Sequence, residues 1–396
     1  MKTAIIKSKH TILAVVLVLG GLIALDHGWF RQIPALAQAQ GPAPGADCDK
    51  LRNHGDAVGA TACYKKLAAS REPFARAEGL WGLHQNHDAN DSFREALKAN
   101  EKDPTRRIRW GRLFMEDGQP AEAEKLFQEA LKLNPMSAEA LLGMAELATE
   151  NFEGQAIEYA QKALALNPSM YEAYQIIARV HLDNSDPAKA AEAANKALAI
   201  SPEALDALAV LATIQILDDK PGTEYLDRIL KVNKNYGEAY ALAAHFLVNN
   251  RRYDEGIQLY RKAIEIKPDL WSARAQLGVS LMRFGLDDEA KANLEACYNN
   301  GYKVDQVVNT LRLMDSYKDF NTVATPTMVI KLDKKEDDLL RPYVTDQVQQ
   351  AMATYEKKYK YKLTGPFRLE VFPNHPDFEV RTIGMPGIGG ILGVTF

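Results

Sequence analysis

Cysteine is scarce, three residues in 396, so a disulfide-dense scaffold cannot be built from this chain. The eight histidines are scattered. The nearest thing to a metal motif is the run His84-Gln85-Asn86-His87-Asp88, which falls where one helix should turn into the next. Two ligands do not make a metal site. No excess of positive charge exists either: 48 Lys and Arg face 52 Asp and Glu, for a net charge of −4. Without a basic stripe, nucleic acid is not an expected partner. The uncharged run Thr11–Leu25 has fifteen residues, short of the roughly 20 that a spanning helix needs. What remains is an ordinary balance of 46% hydrophobic and 25% charged residues, with length enough for two or three domains.

Lys2, Lys7 and Lys9 precede that apolar run, and Ala35-Leu36-Ala37 follows it. A basic start, an apolar centre and a small-residue site read as a secretory signal peptide over 1–37. The interval from Leu25 to Ala37 is long, so a membrane anchor through residues 11–25 stays open as the alternative. Both readings place the rest of the chain outside the cytoplasm, periplasmic or extracellular, with membrane contact only through this segment. Residues 38–47, rich in Ala, Gln, Gly and Pro, read as a flexible tether. Without 1–37 the balance is 44 basic against 51 acidic residues, a net charge of −7. In an oxidising compartment Cys48 and Cys63 are positioned to close a disulfide across a short helical pair. Its contribution would be about 3 kcal/mol. Two free buried thiols are the alternative. Cys297 then stands alone as a small buried hydrophobe.

The strongest signal is periodic. Pro73, Pro104, Pro135, Pro168, Pro202 and Pro268 lie 31, 31, 33, 34 and 66 residues apart. The last interval holds two units, divided at Asn233-Lys234, where Lys stands in the Pro slot. Such a period is that of a helix–turn–helix array, and Pro suits a helix start because its φ is fixed there. Within 168–202, Tyr174, Ile177, Ala178 and His181 share one helical face, and Ala190, Ala194 and Ala197 share another. Asn184-Ser185-Asp186-Pro187 is the turn between, with Asp186 placed to cap the second helix. Trp81, Trp110 and Trp271 occupy or adjoin large-residue positions of first helices and read as core.

The unit resembles the tetratricopeptide repeat. One copy carries Leu141, Met144, Ala145, Ala148, Ala156, Ala160, Ala163 and Pro168. Another carries Tyr240, Ala243, Ala244, Leu247, Gly256, Tyr260, Ala263 and Pro268. A third carries Leu277, Gly278, Leu281, Ala290, Leu294 and Cys297. The resemblance implies a mainly α, right-handed solenoid of about seven helix hairpins over 48–320, with a partial hairpin at its start and a capping hairpin over Val304–Phe320. It also implies a groove lined by first helices that binds a protein or peptide. Carried onto this chain, the groove candidates are Glu146, Gln175, Arg179, His245, Asn249 and Arg283. No cofactor or metal is implied.

Past the array the pattern changes. Thr325–Leu332 and Phe367–Phe372 alternate like strands, while Glu336–Tyr359 and Pro376–Thr382 have helical spacing. Residues 325–396 are expected to form an incomplete α+β segment, because the Gly-rich, apolar ending GMPGIGGILGVTF reads as a domain interrupted before its remaining elements. The order of elements is similar to the start of the peptidase-MA-like zinc metallopeptidases. In that family a His-Glu-x-x-His helix holds zinc and supplies a general base. This chain contains no such motif. The leading expectation is therefore an exported scaffold without catalysis of its own. The front portion of a secreted metallopeptidase and a purely structural spacer are the alternatives.

Overall fold

Four of the described helices start on a proline, at Pro73, Pro104, Pro120 and Pro187. A computed structural model of the chain describes residues 42–395, apart from 150–152, 364, 388 and 391. The signal-like segment 1–37 and residues 38–41 of the tether lie outside the described residues. The opening pair is α1 (Ala46–Asn53) and α2 (Ala57–Ala68). Ala46 and Asp47 therefore belong to a helix rather than to the tether. Seven pairs follow. They are α3 (Pro73–Gly82) with α4 (Asn86–Ala99), α5 (Pro104–Glu116) with α6 (Pro120–Leu133), and α7 (Ala138–Ala148) with α8 (Glu153–Leu166). Next come α9 (Tyr171–Asp183) with α10 (Pro187–Ile200), and α11 (Leu205–Leu217) with α12 (Thr223–Val232). The last two are α13 (Glu238–Asn249) with α14 (Tyr253–Ile266), and α15 (Trp271–Phe284) with α16 (Asp287–Asn299).

The drift of the period has a local cause. Pro73 and Pro104 are themselves the first residues of α3 and α5, with Glu72 and Asp103 capping from the position before. From Pro135 onward the proline sits in a turn ahead of the helix. At Pro135 and Pro168 the preceding Asn closes the turn: Asn134 Oδ1 accepts from the Met136 N–H at 3.1 Å and Asn167 Oδ1 from the Ser169 N–H at 3.1 Å. Asn233 does the same for Asn235 at 2.9 Å. The side chain of Asn, not the ring of Pro, makes this turn, so Lys234 can fill the slot. Asp186 caps α10, accepting from the Lys189 N–H at 3.1 Å.

Small residues at facing positions bring the helices together. Ala145, Ala160, Ala163, Ala178, Ala190, Ala194 and Ala197 are fully buried. One contact shows why. The ring of Phe127 on α6 lies between Gly111 on α5 and Gly143 on α7, and a Cβ at either glycine would come within 2.8 Å and 2.6 Å of it, respectively. Trp81 packs with Phe74 and Phe93 in the core of the α3–α4 pair, and Trp110 packs against the same cluster. Trp271 is half-buried against the core of the last pairs.

The expected capping hairpin is a single helix, α17 (Asp305–Ser316), followed by a 3-10 turn at Tyr317–Asp319. Phe320 already belongs to a strand that the alternation pattern does not reveal, β1 (Phe320–Ala324). It pairs antiparallel with β2 (Met328–Asp333), so Thr325-Pro326-Thr327 is their turn rather than the start of a strand. The Thr325 hydroxyl closes it, accepting from the Met328 N–H at 3.0 Å. After α18 (Asp337–Tyr359), β3 (Phe367–Glu370) joins β2 in parallel, in the order β1-β2-β3. The last helix is α19 (His375–Ile383). Met328, Ile330 and Leu332 point to α18 with Val348, Met352 and Leu369. Lys331, on the opposite face of β2, pairs with Asp287 at the start of α16 and with Glu370 at 3.5 Å. Among the described residues no helix is long and apolar enough to cross a membrane.

Candidate functional site

First helices of successive pairs line one continuous inner face, and the opening hairpin sits on it. Asp49 of α1 receives Nη2 of Arg109 from α5 at 3.2 Å. The same guanidinium binds the buried Glu78 of α3 through Nε at 2.7 Å and Nη2 at 2.6 Å, over the ring of Trp81. Burial raises the Glu78 carboxyl above its ordinary pKa, and Arg109 opposes that rise. At its far end α1 reaches the middle of the array. His54 Nε2 meets Glu203 Oε2 at 3.0 Å, 149 residues away, and Gly55 lies against Asn233. Between α1, α9 and α11 this leaves a cavity of about 580 Å³, whose lining includes Lys50, Tyr171, Gln175, Asp206 and Tyr236. The Tyr236 hydroxyl donates to Asp206. Enclosure raises the Asp206 carboxyl despite that bond, and it raises Tyr236 as well.

Further along, α9, α13 and α15 enclose a second cavity of about 300 Å³. Its polar wall is Arg179, Glu238, His245 and Gln276; its apolar wall includes Leu242 and Leu270, with Tyr260 behind. Arg179 is held by Asp183 at 3.1 Å and lies on the face of Phe246. Burial, then the Arg179 charge, lowers the His245 pKa, so at neutral pH its ring is uncharged. His245 Nε2 and the Asn249 amide are 3.0 Å apart. Glu238 accepts from Lys267 through Oε1 at 2.5 Å, whereas its Oε2 is buried with no hydrogen-bond partner among the described residues. A buried carboxylate oxygen without a donor is costly.

Arg179, His245 and Asn249 thus come together, while the other three candidates do not join them. Glu146 forms an ion pair with Arg112 of α5 at 3.0 Å beside a separate cavity of about 250 Å³ near α1. Gln175 faces the cavity under α1. Arg283 is not an open groove residue: its guanidinium donates to the Thr382 carbonyl of α19 at 3.2 Å, and burial lowers its pKa. The α+β segment covers that end of the face, with Arg381 donating to the Met282 carbonyl at 3.2 Å and Asn309 to the Gly384 carbonyl at 3.2 Å. Glu238 and Gln276 are site residues that the expected groove set leaves out, and Tyr260 entered the sequence reading only as a repeat position. Glu238 is one residue past a Gly at a helix start, and Gln276 shares a face with Ser272, so a helical-wheel reading of α13 and α15 would have found both. Among the described residues no three His, Cys, Asp or Glu side chains are grouped to hold a metal. Cys48 and Cys63 are joined as a disulfide, and Cys297 is a buried free thiol.

Family models described as tetratricopeptide repeat match residues 108–153, 153–204 and 237–270, and the chain carries tetratricopeptide repeats there. Among solved structures it is similar to a thermophilic TPR protein of Thermus thermophilus, at 20% identity over 46% of this chain and 100% of that one, with a TM-score of 0.39. A tetratricopeptide repeat protein from Parabacteroides merdae is 15% identical over 64% of this chain and 98% of that one, with a TM-score of 0.44. YrrB, described as a TPR protein with an unusual peptide-binding site, is 17% identical over 46% and 96% of the two chains, with a TM-score of 0.31. No curated protein sequence matches this chain.

Proposed function

We propose that this chain is an exported scaffold that holds a protein or peptide partner on the inner face between α9 and α15. The observation that carries this reading is the cavity walled by Arg179, Glu238, His245 and Gln276, which combines one cation, one acceptor lacking a donor, and an apolar floor. A peptide presents the matching groups in one segment: a carbonyl or carboxylate for Arg179 and a side chain for the apolar floor. The two ends of the face are occupied by α1 and by α19, so the open stretch is short. A partner would contact a few residues there, not the whole array. Catalysis forms no part of the proposed role.

Peptides selected for binding to the full chain test the reading. Binders are expected to lose about tenfold or more in affinity with Arg179→Ala and again with His245→Ala, since each removes a contact worth on the order of 1.4 kcal/mol. Arg112→Ala, at the end closed by α1, should leave them unchanged. Binders indifferent to Arg179 and His245, or no binders at all, would favour a structural spacer. Export has its own check: the mature chain recovered outside the cytoplasm should begin after Ala37 if the signal is cleaved, and retain Met1 if it is an anchor.

A further inference from the structure

His54, just past the end of α1, stands between two acceptors. Its Nδ1 lies 2.8 Å from the carbonyl oxygen of Lys50, one turn back, and its Nε2 lies 3.0 Å from Oε2 of Glu203. Only the doubly protonated ring can donate at both nitrogens. A neutral ring has one N–H, so its other nitrogen then presents a lone pair to the Lys50 carbonyl or to the Glu203 carboxylate. Beside it Gly55, with φ at +74°, brings the backbone against Asn233, where a Cβ would come within 2.6 Å of Oδ1. That oxygen already accepts from the Asn235 N–H at 2.9 Å. Two contacts, one electrostatic and one steric, therefore join the α1–α2 turn to the turns that precede α11 and α13.

The two halves of α1 are held unequally. Its first half is fixed, because Cys48 is bonded to Cys63, the Tyr64 hydroxyl donates to Asp49, and Asp49 receives Arg109. Its second half lies over the cavity of about 580 Å³ and reaches the far wall through His54 and Gly55. The His54 and Glu203 side chains are 42% and 60% exposed, and an ion pair so exposed is weak enough to open. Around the ring, α1 presents Asp49 and Lys50, α9 presents Tyr171 and Glu172, α11 presents Asp206, and the turn before α13 presents Tyr236. Acid outweighs base in that set, which favours the charged ring. The bonds to Lys50 and Glu203 raise its pKa above 6.5. We infer that the α1–α2 turn is a pH-operated clasp, closed between α1 and α11 while His54 is protonated and released from Glu203 when the ring is neutral. What the clasp does for a partner rests on the peptide reading of the inner face. Arg179 is one turn from Gln175 on α9, and Gln175 faces the cavity under α1. A partner held at Arg179 gains the stretch from Gln175 to Tyr171 when the clasp opens.

Single-molecule energy transfer across the clasp tests it in the full chain without any partner, so its outcome is separate from that of the peptide reading. Dyes are placed at Lys65→Cys on α2 and Lys196→Cys on α10, both exposed positions; Cys297 is buried and Cys48 and Cys63 are bonded to each other. One short separation is expected to dominate at pH 5.5. A longer one should gain about threefold in relative population at pH 8, the scale of an exposed ion pair. Glu203→Gln, an exposed change that keeps the fold, should show the longer separation at both pH values with no pH response left. Gly55→Ala sets a methyl group against Asn233 and should favour the longer separation at pH 5.5 although His54 and Glu203 are both present. A single separation at both pH values, a pH response that survives Glu203→Gln, or no change with Gly55→Ala would overturn the clasp.

Discussion

The two ends of the helical array meet the same problem and solve it differently. A solenoid covers each hairpin with the next one, so its first and last units have one uncovered side. At the start, the short pair α1–α2 has a core of only Cys48, Ala60 and Tyr64 with a few half-buried neighbours. It is held together internally by the Cys48–Cys63 bond and attached to the array through Asp49, Arg109 and Glu78. At the other end, no covalent link is present among the described residues. There Lys331, Glu370, Arg381 and Asp287 form a buried ionic cluster between the sheet, α19 and the last repeat. Each terminal unit is vulnerable in its own way: the first to loss of a bond within itself, the second to loss of a charge between itself and its neighbour.

Breaking the ionic cluster should have the largest effect. Glu370 has only 12% of its side chain exposed, and Arg381 and Lys331 only 8% and 10%. Glu370→Ala leaves two buried cations short of a partner, and should destabilise on the order of 3–5 kcal/mol. Denaturant unfolding measures this, and limited proteolysis should show cleavage near Tyr317–Asp319 first. Arg261→Ala, removing an exposed pair with Glu289, should cost below about 1 kcal/mol. Next in size is the opening hairpin. Cys63→Ser should destabilise by about 3 kcal/mol for a loop of this length, with faster amide exchange confined to α1 and α2. Exchange that accelerated equally in the α+β segment would erase the contrast between the two ends.

A third change lies in neither end. Gly143→Ala drives a methyl group into the ring of Phe127 and should cost about 1–3 kcal/mol by overpacking, read as a lower unfolding midpoint. The smallest effects are those of pH, and they have opposite signs. The Lys50 carbonyl and Glu203 raise the pKa of His54 above 6.5. That stabilisation is present below 6.5 and is lost as pH rises through the folded value, so His54→Gln should destabilise more at pH 5 than at pH 8. Burial lowers the pKa of His245. The unfolded chain then binds more protons as pH falls through 6.5, so His245→Gln should be relatively favourable at pH 5. Both shifts should stay below about 1 kcal/mol, measured as the difference in unfolding free energy at the two pH values.

Much of this was legible beforehand, because local chemistry set it. The Pro spacing located the hairpins, Asp186 caps where its spacing placed it, and the alternation over 325–332 and 367–372 marked two of the three strands, with the first drawn three residues too early. What could not be read depends on contacts between distant residues. Nothing local to His54 or Glu203 reveals that they meet. Arg283 looked like a groove residue because helical spacing cannot show that α19 lies over it. Phe320–Ala324 became a strand because β2 pairs with it, not through a pattern of its own.

Photo-crosslinking from the inner face tests the central claim most directly. A benzophenone side chain at Ala241, in the wall of the cavity, is compared with one at Lys196, exposed on α10. The account predicts a discrete partner adduct from position 241 alone, lost when Arg179→Ala or His245→Ala is added. Adducts that form equally from position 196, or that persist in both variants, would contradict it.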